Sequence, residues 1–174
     1  KLQVVSKTDV QVGSGEEGEN NTSDINEKIA QICTGPADFN DVIAIFGQPS
    51  DYKWGKQSFK LENLPVKRYW IFYPDSIHIL MNWDKVDRLE IVDSAYVFND
   101  KIPMGSSLEH VLSIVGQPKA TVVGQRGWED GVLYKDIEGR VGRCQYMRKD
   151  LNADFRFLNY TLTCVSIFLE VKSG

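Results

Sequence analysis

The sequence contains one short phrase twice, as "VIAIFGQPS" at residues 42–50 and as "VLSIVGQPK" at residues 111–119. In both copies apolar residues recur at helical spacing, and a glycine and then a proline follow them. Glycine commonly ends a helix and proline cannot continue one, so the phrase predicts helices that stop at Gly47 and Gly116. The recurrence indicates two tandem copies of one structural unit.

The residues before each phrase add to the repeat. Asp24 and Glu27 have the spacing of a capping box, and residues 23–36 predict a helix that precedes the one ending at Gly47. Ser106 and Glu109 supply the same capping pattern in the second copy. The first unit therefore opens as helix–loop–helix, and the repeat extends this layout to the second.

The segments after each helix are rich in β-branched and aromatic residues, which favour strands. The pattern predicts three strands per copy, at 66–73, 76–83 and 85–92 and at 142–148, 153–159 and 161–171. A short strand after each GQP turn completes four antiparallel strands per unit, and the second copy carries an insertion at 127–142.

The expected fold class is α+β, with two tandem helix–loop–helix plus antiparallel-sheet units and the helices on one sheet face. Each helix is apolar along one stripe only, so the other sheet face is left uncovered. Residues 1–23 are rich in Gly, Glu, Asn and Ser and predict a flexible leader or linker. The two repeats are expected at 24–98 and 99–174.

Composition excludes some classes of partner. The chain of 174 residues has a net charge of −4 and no cluster of Lys and Arg, which argues against a nucleic-acid partner. No apolar run approaches the roughly 20 residues of a membrane helix, so no transmembrane segment is expected in this chain.

Cysteine and histidine usage gives no metal or cofactor pattern. Cys33, Cys144 and Cys164 show no CxxC spacing, and the chain has only two histidines, His78 and His110. Cys144 and Cys164 fall on predicted strands and could pair, but small buried apolar residues are the favoured interpretation.

Candidate catalytic residues are few. An active site would need Asp136, Glu138 or Cys33 to converge with His78. A lone strand histidine is usually a surface or partner-contact residue, and two acids in a loop insertion are usually solvated. The chain is therefore predicted not to be an enzyme.

Aromatic residues on the predicted strands indicate binding instead. Both faces of residues 66–73 carry aromatic side chains, so neither face is expected to be purely solvated. Tyr and Trp interleaved with Arg and His are typical of protein-binding surfaces. The predicted partner-binding residues, for a protein or peptide, are Tyr69, Tyr73, His78, Trp83 and Tyr146.

This tandem layout resembles the beta-lactamase inhibitor protein fold, and "IPMGSSLEHVLSIVGQP" (102–118) resembles the SmpA/OmlA type of outer-membrane assembly lipoprotein. The first resemblance implies that the uncovered concave sheet binds a protein target. Together they imply an extracytoplasmic location, periplasmic or at the cell surface, in the bacterial envelope.

A further resemblance leaves an alternative function open. "DGVLYKDIEGR" and "YVFNDKIPMGSSLE" resemble the extra domain of some BlaR-type membrane-embedded metallopeptidases. That resemblance implies a ligand-sensing domain tethered to a membrane protein through the N-terminal leader. A structural spacer without any ligand is the remaining alternative.

Overall fold

A computed structural model of the chain describes residues 20–124, 130–148 and 151–169. Most of the predicted leader, residues 1–19, lies outside the described residues, as does 125–129 of the predicted insertion. The described helices are α1 (Asn20–Cys33), α2 (Phe39–Phe46) and α3 (Leu108–Val115), with one 3₁₀ turn at Leu61–Asn63.

Twelve strands are described. They are β1 (Asp51–Trp54), β2 (Gln57–Phe59), β3 (Arg68–Tyr73), β4 (Ile77–Asn82), β5 (Lys85–Ile91), β6 (Val97–Phe98), β7 (Ile102–Pro103), β8 (Ala120–Val123), β9 (Val132–Lys135), β10 (Val141–Arg148), β11 (Leu151–Leu158) and β12 (Thr161–Phe168).

Ten of these strands form one continuous sheet in the order β2-β1-β3-β4-β5-β12-β11-β10-β9-β8. The strands of the first repeat lie on one side and those of the second on the other. They join where β5 and β12 pair in antiparallel fashion, with Val165 opposite Ile91. The pair β8 and β9 is parallel, which makes the sheet mixed.

The predicted fold class, with two tandem helix–loop–helix plus antiparallel-sheet units, is wrong. The chain is mostly β-structure with one ten-stranded mixed sheet, and its second half has a single described helix. The β6–β7 hairpin stands where a first helix of the second unit was expected. Its turn contains Asn99 and Asp100 at φ 50° and 57°, a left-handed pair that favours a hairpin turn and excludes a helix.

Several local predictions are confirmed. The repeated phrase forms α2 and α3, the GQP turns lead into β1 and β8, and all six longer strands occur near their predicted positions.

The capping residue of α3 differs from the prediction, because Ser107 rather than Ser106 accepts a hydrogen bond from the backbone N–H of His110, at 3.1 Å. The Ser106 hydroxyl instead donates to the carbonyl of Pro103 at 2.6 Å.

The hydrophobic core lies between one face of the sheet and the three helices with the β6–β7 hairpin. Ile32 of α1, Val42 of α2 and Val111 of α3 are fully buried in this core. Phe155 of β11 lies beneath the hairpin, with its ring 5.2 Å from that of Phe98. Every described helix contributes to this one core, so the opposite sheet face is left without a helix among the described residues. We call this opposite side the open face.

Among the described residues, no helix combines the length and the apolar character needed to cross a membrane.

Candidate functional site

The centre of the open face is a row of side chains in continuous register across six strands. Each residue is the direct partner of the next, and neighbours in register share a face of the sheet. We call it the central row: Phe72 (β3), His78 (β4), Glu90 (β5), Ser166 (β12), Asp154 (β11) and Gln145 (β10).

Cationic side chains stack on aromatic rings beside this row. The guanidinium of Arg88 lies 5.8 Å from the ring centre of Trp70 and 4.8 Å from that of Phe168. The Arg143 guanidinium lies 4.2 Å above the ring of Tyr134. Such cation–π contacts hold long side chains in one orientation on an otherwise exposed surface.

The first two residues of the central row, Phe72 and His78, have aromatic rings. The rings of Phe72 and His78 lie 4.6 Å apart, and the ammonium group of Lys53 lies 5.1 Å from the Phe72 ring. Burial lowers the pKa of His78, while the neighbouring Glu90 carboxylate acts in the opposite direction. The imidazole is therefore mostly neutral near pH 7 and can stack or exchange hydrogen bonds with a partner.

Ion pairs connect the two halves of the sheet. Arg156 Nη2 donates to Glu90 Oε1 at 2.6 Å, which joins β11 to β5 across β12. Arg88 Nη1 lies 3.5 Å from the same Glu90 oxygen. The Nε atoms of Arg143 and Arg156 each lie 3.6 Å from one oxygen of Asp154. The acidic groups are thus each placed between two guanidinium groups.

Asp154 is the most deeply buried acid of this network, with 1 % of its surface exposed. Burial raises the pKa of its carboxyl to about 6, although the attraction of Arg143 and Arg156 opposes this shift. The effect of burial on the pKa is therefore larger than the effect of the two arginines, and the carboxylate gains its proton in mildly acidic solution.

Three of the five predicted partner-binding residues lie on the opposite, helix-covered face. Tyr69, Tyr73 and Tyr146 belong to the buried core, so the prediction placed them on the wrong face of the sheet. The Tyr73 hydroxyl donates to the carbonyl of Gly47 at 2.8 Å, and the Tyr146 hydroxyl donates to the carbonyl of Gly116.

These two hydrogen bonds from tyrosine hydroxyls show what the repeated phrase does in the structure. Gly47 and Gly116 end α2 and α3 with φ of 79° and 95°, and each backbone N–H bonds a carbonyl four residues back. The glycine carbonyl then accepts the tyrosine hydroxyl from the sheet below it. Each copy of the phrase therefore fixes a helix end to the sheet.

The other two predicted residues are more accessible. His78 lies in the central row of the open face, as described above. Trp83 lies in the turn between β4 and β5 at φ 49°, is 61 % exposed, and has the Lys67 ammonium 5.6 Å from its ring. It lies beyond the last paired residue of β4, away from the central row.

The residues that could have formed an active site lie apart. Asp136 and Glu138 both pair with Arg140 in the turn between β9 and β10, at 2.7 and 2.8 Å. Cys33 ends α1 on the helix-covered side, whereas His78 is on the open face. In the described ranges, no group of three metal-ligating side chains comes together.

The three cysteines are free thiols. Cys144 belongs to the core, whereas Cys164 is the register partner of Arg156 on the open face. Their side chains lie on opposite sides of the sheet, which excludes the disulfide that the sequence left open.

Sequence reasoning missed most of the open-face residues, among them Trp70, Arg88, Glu90, Asp154 and Gln145. Alternation along β3 correctly places Trp70 and Phe72 on one face and Tyr69 and Tyr73 on the other. It contained no signal for which of the two groups the helices cover, because both are aromatic.

No family model and no curated protein matches the chain. A solved structure with a similar fold is the 1.5 Å crystal structure of an extracellular protein containing a SCP domain from Bacillus anthracis str. Ames. The TM-score is 0.53 with 14 % sequence identity, over 95 % of this chain and 50 % of that one. The chain thus spans half the length of that protein, and the similarity is one of fold alone.

Proposed function

We propose that this chain is a noncatalytic protein- or peptide-binding module whose open face contacts the partner. The observation that carries the proposal is the stacking of Arg88 between the rings of Trp70 and Phe168, next to the central row. Arginine and aromatic residues are enriched at the centres of protein interfaces, where they supply most of the binding energy.

The order of the open face supports the same function. The ion pair of Arg156 with Glu90 and the stacking of Arg143 on Tyr134 hold long side chains in place before a partner arrives. Ordering such side chains on binding costs about 0.5–1.5 kcal/mol each, so a surface that is already ordered loses less free energy.

We further propose that the module acts outside the cytoplasm, in the bacterial envelope. The solved structure of similar fold comes from a protein described as extracellular, and this chain spans half of it. A module of a larger envelope protein is consistent with that coverage. Membership in the beta-lactamase inhibitor or SmpA/OmlA families stays a prediction.

Partner capture with two matched tryptophan variants tests the proposal. Trp70 lies on the open face and Trp83 in the β4–β5 turn, so Trp70→Ala and Trp83→Ala remove the same side chain at different places. Envelope extract is passed over wild type and both variants, after circular dichroism has verified their fold. The open-face proposal predicts that Trp70→Ala loses the partner and Trp83→Ala keeps it; equal capture by all three would refute it.

A second candidate function is the sensing of a small ligand, and a cavity favours it. A space of about 380 Å³ lies between α1, the β6–β7 hairpin and the adjoining ends of β11 and β12. Its walls include the apolar residues Ile29 and Phe98 and the polar residue Asn152. The volume is within the range of small-molecule sites.

The two candidates are separated by filling the cavity. Ala30 lines it and is exposed on α1, so Ala30→Trp places a large side chain there with little effect on the core. Native mass spectrometry of protein incubated with envelope extract would detect a small bound molecule. A bound mass that disappears in Ala30→Trp supports sensing, and its absence in both proteins removes this candidate.

A further inference from the structure

The open face contains all the fully buried polar side chains of the described residues. They are Gln145, Asp154 and Ser166, with 0 %, 1 % and 0 % of their surfaces exposed. They are also consecutive members of the central row, on the neighbouring strands β10, β11 and β12. A buried polar row on the uncovered side of a sheet has no role in packing the core.

These three side chains differ in how their hydrogen-bonding groups are used. Ser166 Oγ accepts from Arg156 Nη2 at 3.3 Å. Asp154 Oδ1 has an ion pair at 3.6 Å with Arg143 but no hydrogen bond, and Gln145 has none at either Oε1 or Nε2. Buried polar groups are nearly always hydrogen-bonded, so three unmet atoms on two adjacent residues are unusual.

The unmet atoms define the chemistry of a complementary group. Gln145 Nε2 is a donor, whereas Gln145 Oε1 and Asp154 Oδ1 are acceptors when the carboxylate is ionised. A group that forms a hydrogen bond with each of these three atoms needs one acceptor and two N–H donors. A primary carboxamide has this set, whereas a backbone amide has a single N–H and would leave one acceptor unmet.

Charge excludes two other groups. A carboxylate would bring its oxygens against the two acceptor oxygens of Gln145 and Asp154. A guanidinium or ammonium group would meet Arg143 and Arg156, which already lie 3.6 Å from Asp154. A neutral group with both donors and acceptors avoids both conflicts.

We propose that Gln145 and Asp154 form a recognition site for the primary carboxamide of an asparagine or glutamine side chain of the partner. Gln145 exchanges two hydrogen bonds with the carboxamide, and Asp154 Oδ1 accepts from its second N–H. The inference rests on the proposed function, since the partner must lie on the open face to present this group.

Access to the site depends on one flexible side chain. Along β10, Met147 flanks Gln145 on the same face and is 45 % exposed. Its side chain is long and unbranched, and its rotation requires no change in the backbone. A partner side chain can therefore approach the amide from the Met147 side while Arg143 stays stacked on Tyr134.

The test is an NMR titration of the ¹⁵N-labelled full chain with three small probes. Acetamide represents a side-chain carboxamide, N-methylacetamide represents a backbone amide, and acetate represents a carboxylate. The readouts are the chemical shifts of the Gln145 side-chain NH₂ group and of the backbone N–H of Asp154, its register partner. Gln145→Met identifies this signal and removes the site, whereas Gln117→Met alters an exposed glutamine in the second GQP turn.

We expect acetamide to give a saturable shift of both signals in wild type and in Gln117→Met. In Gln145→Met the Asp154 backbone signal should report an affinity reduced about tenfold or more, the equivalent of about 1.4 kcal/mol. N-methylacetamide should bind more weakly. Equal or stronger binding of N-methylacetamide or acetate, or no saturable shift, would overturn the proposal. If Gln145→Met does not fold, Gln145→Asn withdraws the amide by one methylene and serves in its place.

This test is independent of partner capture. Loss of capture in Trp70→Ala together with no response to acetamide would leave the open-face function in place and remove the carboxamide site. Capture that is indifferent to Trp70→Ala would remove the function itself.

Discussion

Replacement of Gln145 by methionine is expected to stabilise the free protein, contrary to the usual effect of changing a fully buried residue. Gln145 is 0 % exposed, and neither atom of its amide has a hydrogen-bond partner. An unsatisfied buried polar group costs about 1–3 kcal/mol, and an apolar residue of the same shape removes this cost. Methionine has the length and flexibility of glutamine, so no cavity is expected.

The expected gain is therefore about 1–3 kcal/mol in the free energy of unfolding. For a chain of this size each kcal/mol moves the thermal midpoint by about 2–4 °C, which gives a rise of roughly 2–12 °C. The same change should abolish binding of a carboxamide. A residue that costs stability and supports binding is the behaviour expected of a functional site.

Urea denaturation at pH 7 followed by circular dichroism measures the effect. Wild type, Gln145→Met and Gln117→Met should share one m-value, so that the midpoints report stability directly. Gln117 is exposed, and its substitution should stay within about 0.5 kcal/mol of wild type. If Gln145→Met is instead clearly less stable than wild type, the amide is satisfied in the folded protein and the reasoning is refuted.

Other consequences concern the buried acid and the two tyrosines. Because burial raises the pKa of Asp154 to about 6 from an ordinary value of about 3.9, its contribution to stability is present below pH 4 and is lost as pH rises through 6. Between pH 4 and 7, wild type should lose about 3 kcal/mol relative to Asp154→Asn in urea denaturation; parallel pH profiles would contradict this. Tyr73→Phe and Tyr146→Phe should each cost about 0.5–1.5 kcal/mol by calorimetry without affecting partner capture, since each removes one hydrogen bond to a helix end. Loss of capture in either variant would show that the helix-covered side contributes to binding.

The secondary structure could be predicted where local signals are strong. The apolar spacing and the glycine stop place α2 and α3 within their observed bounds. Asp38 also caps α2, where its side chain accepts from Asn40 N and Asp41 N. Such signals need only neighbouring residues, which is why they can be read without the fold.

The arrangement of these elements could not be predicted in the same way. Pairing of β5 with β12 joins strands that are far apart in sequence, and no pattern within either strand specifies this partner. A two-unit interpretation therefore left unspecified how the two sheets join. The Asn99-Asp100 pair favours a hairpin turn, a signal that the two-unit interpretation did not use.

The candidate site was only partly within reach of the sequence. Alternation separates Gln145 from the core residues Cys144 and Tyr146. It contains no information on how deeply the Gln145 side chain is buried on the open face. The role of Tyr73 and Tyr146 at the ends of α2 and α3 depends on contacts 26 and 30 residues apart. Such contacts become visible only once the sheet is assembled.

Photo-crosslinking from the two sides of the sheet tests the central claim most directly. A benzophenone amino acid replaces Phe72, in the central row of the open face, or Ile114, which is 38 % exposed on α3. Irradiation in envelope extract is expected to give a specific protein adduct from position 72 and none from position 114. An adduct from position 114 alone would place the partner on the helix side and contradict the account.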